Sequence, residues 1–145
     1  MLFRSILVKQ TIHLLDLKEI RILLNQMTAS LSSQGRIFIL TLDPYRNEIP
    51  SFTLMKKKLS MSLKRDKKIL GFISKLYPTR IFKKFSFKVK ISKKKYINMV
   101  SKRYISTLLG FTVKQISSGI NEINSKYKKN LKFYDKLVCI IIRNK

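Results

Sequence analysis

Apolar residues along the chain fall into short blocks whose period changes from one block to the next. Ser5-Ile6-Leu7-Val8 is a compact apolar run, the pattern of a strand covered on both faces. Asp16 then opens a helix, and Glu19 three residues on completes a capping-box signal. Leu17, Ile20, Leu24, Met27 and Leu31 recur at spacings of three and four and mark one buried stripe. Ser32-Ser33-Gln34-Gly35 ends that helix, with Gly35 suited to a left-handed residue past its terminus. Ile37-Phe38-Ile39-Leu40 is a second buried strand, stopped by Asp43-Pro44. Strand, helix and strand with tight joins predict a parallel α/β unit.

The pattern continues with a helix from Leu59 to Tyr77, carrying Leu63, Leu70, Ile73 and Leu76 and followed by Pro78. Next comes a strict alternation. Phe85, Phe87, Val89 and Ile91 fall on one face and Lys84, Ser86, Lys88 and Lys90 on the other, predicting a strand with its phenylalanines toward the core. A helix is predicted near Lys93 to Ser101. Another begins at Thr112, with Gln115 forming a second capping box and Ile116, Ile120, Ile123 and Tyr127 facing inward. Leu131 to Ile142 closes the chain as an apolar strand.

Length and composition sharpen this picture. With 145 residues, 45% of them hydrophobic, the chain fits one folded domain rather than a disordered tail. Its net charge is +25, from 32 Lys and Arg against 7 Asp and Glu. Residues 54 to 103 hold 18 of the basic residues against Asp66 alone, a net of +17. Such a balance fits nucleic-acid binding, attraction to anionic membranes, or drift under AT-rich coding. The lone cysteine, Cys139, lies in an apolar run and reads as a small core residue. It rules out an internal disulfide, and no zinc-ligand spacing exists, so no metal is expected. Apolar runs fall short of the ~20 residues of a membrane span, so a cytoplasmic protein is expected.

Three stretches together resemble the C-terminal half of class I S-adenosylmethionine (SAM)-dependent methyltransferases. Ile6-Leu7-Val8-Lys9-Gln10-Thr11-Ile12-His13 is similar to the fourth strand and its loop. Leu31-Ser32-Ser33-Gln34-Gly35-Arg36-Ile37-Phe38-Ile39 resembles the passage into the fifth strand, with Gln34 in place of the first of two common glycines. Arg103-Tyr104-Ile105-Ser106-Thr107-Leu108, Phe111-Thr112 and Gly119-Ile120-Asn121-Glu122-Ile123 resemble a helical insert found in some small-molecule methyltransferases. The resemblance implies an α/β fold: the C-terminal half of a Rossmann-like sheet, parallel strands with a final antiparallel pair, and an insert about 93 to 127. Residues 1 to 145 would form one partial domain.

The same resemblance implies methyl transfer to a small acceptor, with His13 as a base and Gln10 and Thr11 near the cofactor. Arg103 would reach an anionic substrate group. The residues also admit plainer roles, His13 as a loop histidine and Arg103 as a helix-end arginine bonded to a carbonyl or carboxylate. The family's SAM-binding turn is Gly-rich, but Gly35, Gly71, Gly110 and Gly119 are each isolated and no Gly-x-Gly occurs. SAM binding is therefore expected only where an N-terminal half is supplied, and the chain alone is expected to be inactive. Met1 falls just before the fourth strand of the pattern. That implies an internal start on a longer gene, a remnant, or a second chain as partner. The competing expectation is a basic RNA-binding or ribosome-associated protein contacting nucleic acid through residues 54 to 103.

Overall fold

The computed structural model describes residues 2–144. Along them run β1 (Phe3–Lys9), α1 (Leu17–Ala29), β2 (Leu31–Leu42), α2 (Thr53–Leu76), β3 (Ile81–Ser92), α3 (Lys93–Ser101), α4 (Val113–Lys126) and β4 (Asn130–Arg143). Short 3-10 turns occur at Ile12–Leu14 and Ser106–Leu108. The strands form one sheet in the order β1-β2-β4-β3. β1 runs parallel to β2 and β4 antiparallel to it, so the fold is the mixed α/β expected. The chain divides into two compact units. One comprises Met1–Asn47, Lys64–Phe85 and Lys136–Lys145; the other comprises Glu48–Leu63 and Ser86–Asp135.

The first unit is built on the β1–α1–β2 crossover. Both halves of the predicted capping box form, Glu19 N–H donating to Asp16 Oδ1 and Asp16 N–H to Glu19 Oε2, each at 2.8 Å. Ile20 and Leu24 of α1 pack with Val8, Ile37 and Ile39, with Val138, Ile140 and Ile142 of β4, and with Ile69, Leu70 and Ile73 of α2. Register explains the stacking, since Ile37 lies opposite Ile142 and Ile39 opposite Ile140. β4 is buried on both faces from Leu137 to Ile142, which its unbroken apolar run required. Cys139 is among these residues, so burial raises its thiol pKa and the group is a packing element.

Three expectations for this unit are corrected. Helix α1 stops at Ala29 and β2 begins at Leu31, so Leu31 and Gly35 belong to a strand. Gly35 is not left-handed. It is glycine because a Cβ there would stand 2.8 Å from the Phe3 carbonyl oxygen and 2.9 Å from Leu31 Cβ. Pairing slips between Phe3↔Leu31 and Ser5↔Arg36, leaving extra β2 residues that Asn144 fastens through bonds to the Leu31, Ser32 and Gly35 carbonyls. Nor is β1 covered on both faces. It is an outer strand, and Leu7 is 62% exposed while Ile6 and Val8 turn inward.

The second unit packs α3, α4 and the first turns of α2. Phe52, Met55, Tyr96, Val100, Leu108, Ile116, Ile123 and Leu131 form its core. The Thr112–Gln115 capping box forms as predicted at the start of α4. Helix α2 begins six residues before the expected Leu59, because its cap comes from elsewhere. Glu122 Oε2 accepts from Thr53 N–H at 2.9 Å and from Thr53 Oγ1 at 2.8 Å. These bonds hold the Glu122 carboxyl below its ordinary pKa. Tyr96 donates its hydroxyl to the Pro50 carbonyl and lies 3.2 Å from the Tyr104 hydroxyl, and burial raises both phenol pKa values.

β3 departs furthest from expectation. Phe85 and Phe87 were predicted to face the core, yet they are 41% and 52% exposed, and Phe82 is 39% exposed. Every residue from Phe82 to Lys88 is exposed. Alternation signals a two-faced strand but does not supply a layer to cover it, and β3 is the outer strand of its sheet.

Two glycines on helices test the packing. Gly71 has open space where a Cβ would go, so Gly71→Ala should raise stability by about 0.5–1 kcal/mol. A Cβ at Gly119 would stand 2.6 Å from carbons of the buried Phe52 ring. Gly119→Ala should therefore lose about 1–2 kcal/mol, overpacking outweighing the helix-propensity gain. Urea unfolding of both variants checks the opposite signs.

Candidate functional site

In open α/β sheets, ligand chemistry gathers where parallel strands end and their loops leave. At the carboxyl end of β1 the chain does something costly. Gln10 takes φ 52°, a left-handed backbone without glycine, while its N–H donates to the Leu40 carbonyl at 2.8 Å. A non-glycine residue there is strained by about 1 kcal/mol or more, and such strain clusters at binding and catalytic positions. The Thr11 carbonyl then accepts from Leu14 N–H at 2.9 Å, closing the 3-10 turn. Within that turn Ile12 is driven into the core, which fixes the half-buried His13 beside it.

His13 has an electrostatic neighbour that the sequence reading passed over. Asp66 on α2 is buried, and its Oδ1 has no hydrogen-bond partner. Arg65 Nε stands 4.0 Å from that oxygen, at the outer limit of an ion pair. Burial lowers the His13 pKa; the Asp66 charge opposes this and Arg65 adds to it. Burial raises the Asp66 pKa against the pull of His13 and Arg65. Desolvation thus drives both groups toward their neutral forms. A neutral imidazole near neutral pH is the form able to accept a proton. At the end of β2, Asp43 Oδ1 accepts from Tyr45 N–H at 2.8 Å, and Lys67 Nζ lies 4.8 Å from the Tyr45 ring centroid.

Gln10, Thr11 and His13 thus form one contiguous turn in the first unit. Arg103 belongs to the second unit, just past the C-terminus of α3. It too is left-handed, at φ 52°, and its guanidinium donates to the Phe111 carbonyl at 3.0 Å while its Nε is buried without a partner. Asp66 was legible in one respect. It is a lone acid among lysines, three, four and seven residues before Ile69, Leu70 and Ile73 on the buried face of α2.

Among the described residues, no group of three or more His, Cys, Asp or Glu side chains could hold a metal ion. No helix among them is long and apolar enough to cross a membrane. Gly35 is occupied by the β1–β2 approach and Gly119 by Phe52, and no glycine-rich turn opens toward the carboxyl end of β1.

No known protein family matches the sequence, and no characterised protein does either. Among solved structures, the chain is similar to the plantazolicin methyltransferase BpumL, solved in complex with a pentazolic desmethylPZN analog and SAH. Identity is 14% and the TM-score 0.39, over 99% of this chain and 53% of that one. The chain spans about half the length of that neighbour.

The His13–Asp66 coupling has a measurable sign. The single histidine should titrate below the ordinary imidazole value by NMR, and Asp66→Asn should lower it further by removing the charge that opposes the shift. Asp66 itself, with its pKa raised, contributes stability below its unfolded pKa that is lost as pH rises through its folded pKa. Asp66→Asn should therefore stabilise the chain by about 1 kcal/mol at pH 7, with the gain vanishing below about pH 4. Denaturant melts across that range check it.

Proposed function

We propose that the chain is the C-terminal part of a SAM-dependent methyltransferase-like domain that acts on a small-molecule acceptor. The observation that carries this reading is the strained turn at the carboxyl end of β1, which holds a histidine whose proton affinity burial has lowered. The parallel β1–α1–β2 unit, the antiparallel β4 beside it and the sequence resemblance support it further. In this reading His13 accepts a proton from the acceptor O–H or N–H, and Gln10 and Thr11 line the cofactor side. SAM supplies the methyl group when bound. Its adenosine and methionine parts would be held by a glycine-rich half, from a second chain or another segment, because this chain has no Gly-x-Gly turn. The chain alone is therefore inactive.

Two measurements on the purified chain test this. Calorimetry with SAM should show no micromolar binding, and micromolar affinity would sink the claim that a second half is needed. Amide shifts at millimolar SAH should then be confined to Gln10, Thr11 and His13, reporting a residual weak contact. Shifts elsewhere, with that turn unmoved, would remove the methyltransferase reading itself.

A further inference from the structure

The second unit holds a cleft of about 1010 Å³ between the first turns of α2 and the later turns of α4. On α2 it is lined by Thr53 and by Lys56, Lys57 and Ser60, three, four and seven residues further on. On α4 the same spacing recurs from Ser118 through Asn121 and Glu122 to Ser125. Each helix therefore gives one whole stripe to the space between them. Neighbouring helices ordinarily interlock apolar side chains along such stripes and close the gap. Here both stripes are polar, and the apolar lining is confined to Phe52 and Ile123, which belong to the core beneath. The two bonds from Thr53 to Glu122 Oε2, at 2.8 and 2.9 Å, tie the helices together and fix the walls. Lysines on a plain solvated face spread apart to lower their repulsion, whereas Lys56, Lys57 and Lys126 border one space. Glu122, the one carboxylate lining it, is committed to Thr53.

We propose that this cleft binds a phosphate monoester of a small hydroxylated molecule. Three ammonium groups against one carboxylate leave its lining with a net charge of +2. A phosphate monoester carries about −1.5 to −2 at neutral pH and matches that charge. Lys56, Lys57 and Lys126 take the phosphate oxygens as point charges, which need no fork geometry. The Ser60 and Ser118 hydroxyls and the Asn121 amide exchange hydrogen bonds with the hydroxylated part. Glu122 holds Thr53 through Oε2, and its Oε1 is an acceptor for a ligand hydroxyl. A flat aromatic ligand fits less well, because the ring that lines the cleft, Phe52, is 2% exposed and packs against Gly119. The volume lies near the upper end of the range of about 300–1,000 Å³ for small-molecule sites. The inference stands apart from the methyltransferase reading, since none of these residues belongs to the Gln10–His13 turn.

Calorimetry and amide NMR of the full chain with glucose 6-phosphate test it. The ester should bind saturably at millimolar concentration, with shifts centred on Thr53 to Ser60 and Ser118 to Lys126. Glucose should not bind, and inorganic phosphate should bind about tenfold more weakly, lacking the hydroxyl contacts. Lys56→Gln with Lys57→Gln should weaken the ester about tenfold. Lys94→Gln with Lys95→Gln removes the same charge from α3, outside the cleft, and should cost less than about twofold. Ser118→Ala should weaken the ester and leave inorganic phosphate unchanged. All the substituted side chains are exposed, and unchanged thermal melts confirm that the variants fold. The proposal is overturned if the ester shows no saturable binding, if inorganic phosphate binds as tightly, or if the α3 pair costs as much as the cleft pair.

Discussion

The last strand of the chain is the one on which the sheet depends. β4 lies between β2 and β3 in the sheet, and Leu137 to Arg143 are the residues that pair with β2. Ile37 opposite Ile142 is a contact across more than a hundred residues, and its loop-closure entropy is offset only when the whole apolar run enters at once. This is why β4 is buried on both faces and carries no charge from Leu137 to Ile142. Asn144, just beyond it, then fastens the irregular start of β2 through three bonds. The local β1–α1–β2 unit and the distant terminus therefore stabilise one another.

That dependence carries through to the turn after β1. Gln10 can hold φ 52° because its N–H is fixed by the Leu40 carbonyl, and Leu40 lies in β2 opposite Cys139 of β4. Ile12 reaches the same core that β4 completes. His13 follows this core residue, and burial lowers its proton affinity against the opposing charge of Asp66 on α2.

Features set by local chemistry were legible in the sequence, and those set by distant partners were not. Both capping boxes could be read because the residues that exchange bonds are three apart. The start of α2 could not, because Thr53 is capped by Glu122 from 69 residues away. Gly35 was misread for a related reason. Its lack of a side chain answers to the Phe3 carbonyl across the sheet and not to a local turn. The turn carrying Gln10, Thr11 and His13 was placed correctly at the end of a strand, yet its left-handed residue and its coupling to Asp66 needed the folded chain. Periodicity gave β3 two faces, but it cannot say whether anything packs on either of them.

The distribution of carboxylates shows where the positive charge is directed. Of the seven acidic side chains, Asp16, Glu19, Asp43, Glu48 and Glu122 accept backbone N–H groups at helix starts, a turn and a strand. Asp66 is buried beside Arg65. Five of the seven carboxylates therefore shape the backbone, and seven cannot neutralise 32 cationic side chains whatever their positions. The uncompensated lysines repel one another over roughly a Debye length, about 8–10 Å in physiological salt, which opposes the compact state. A polyanion that binds only the folded chain relieves that repulsion and adds stability by mass action.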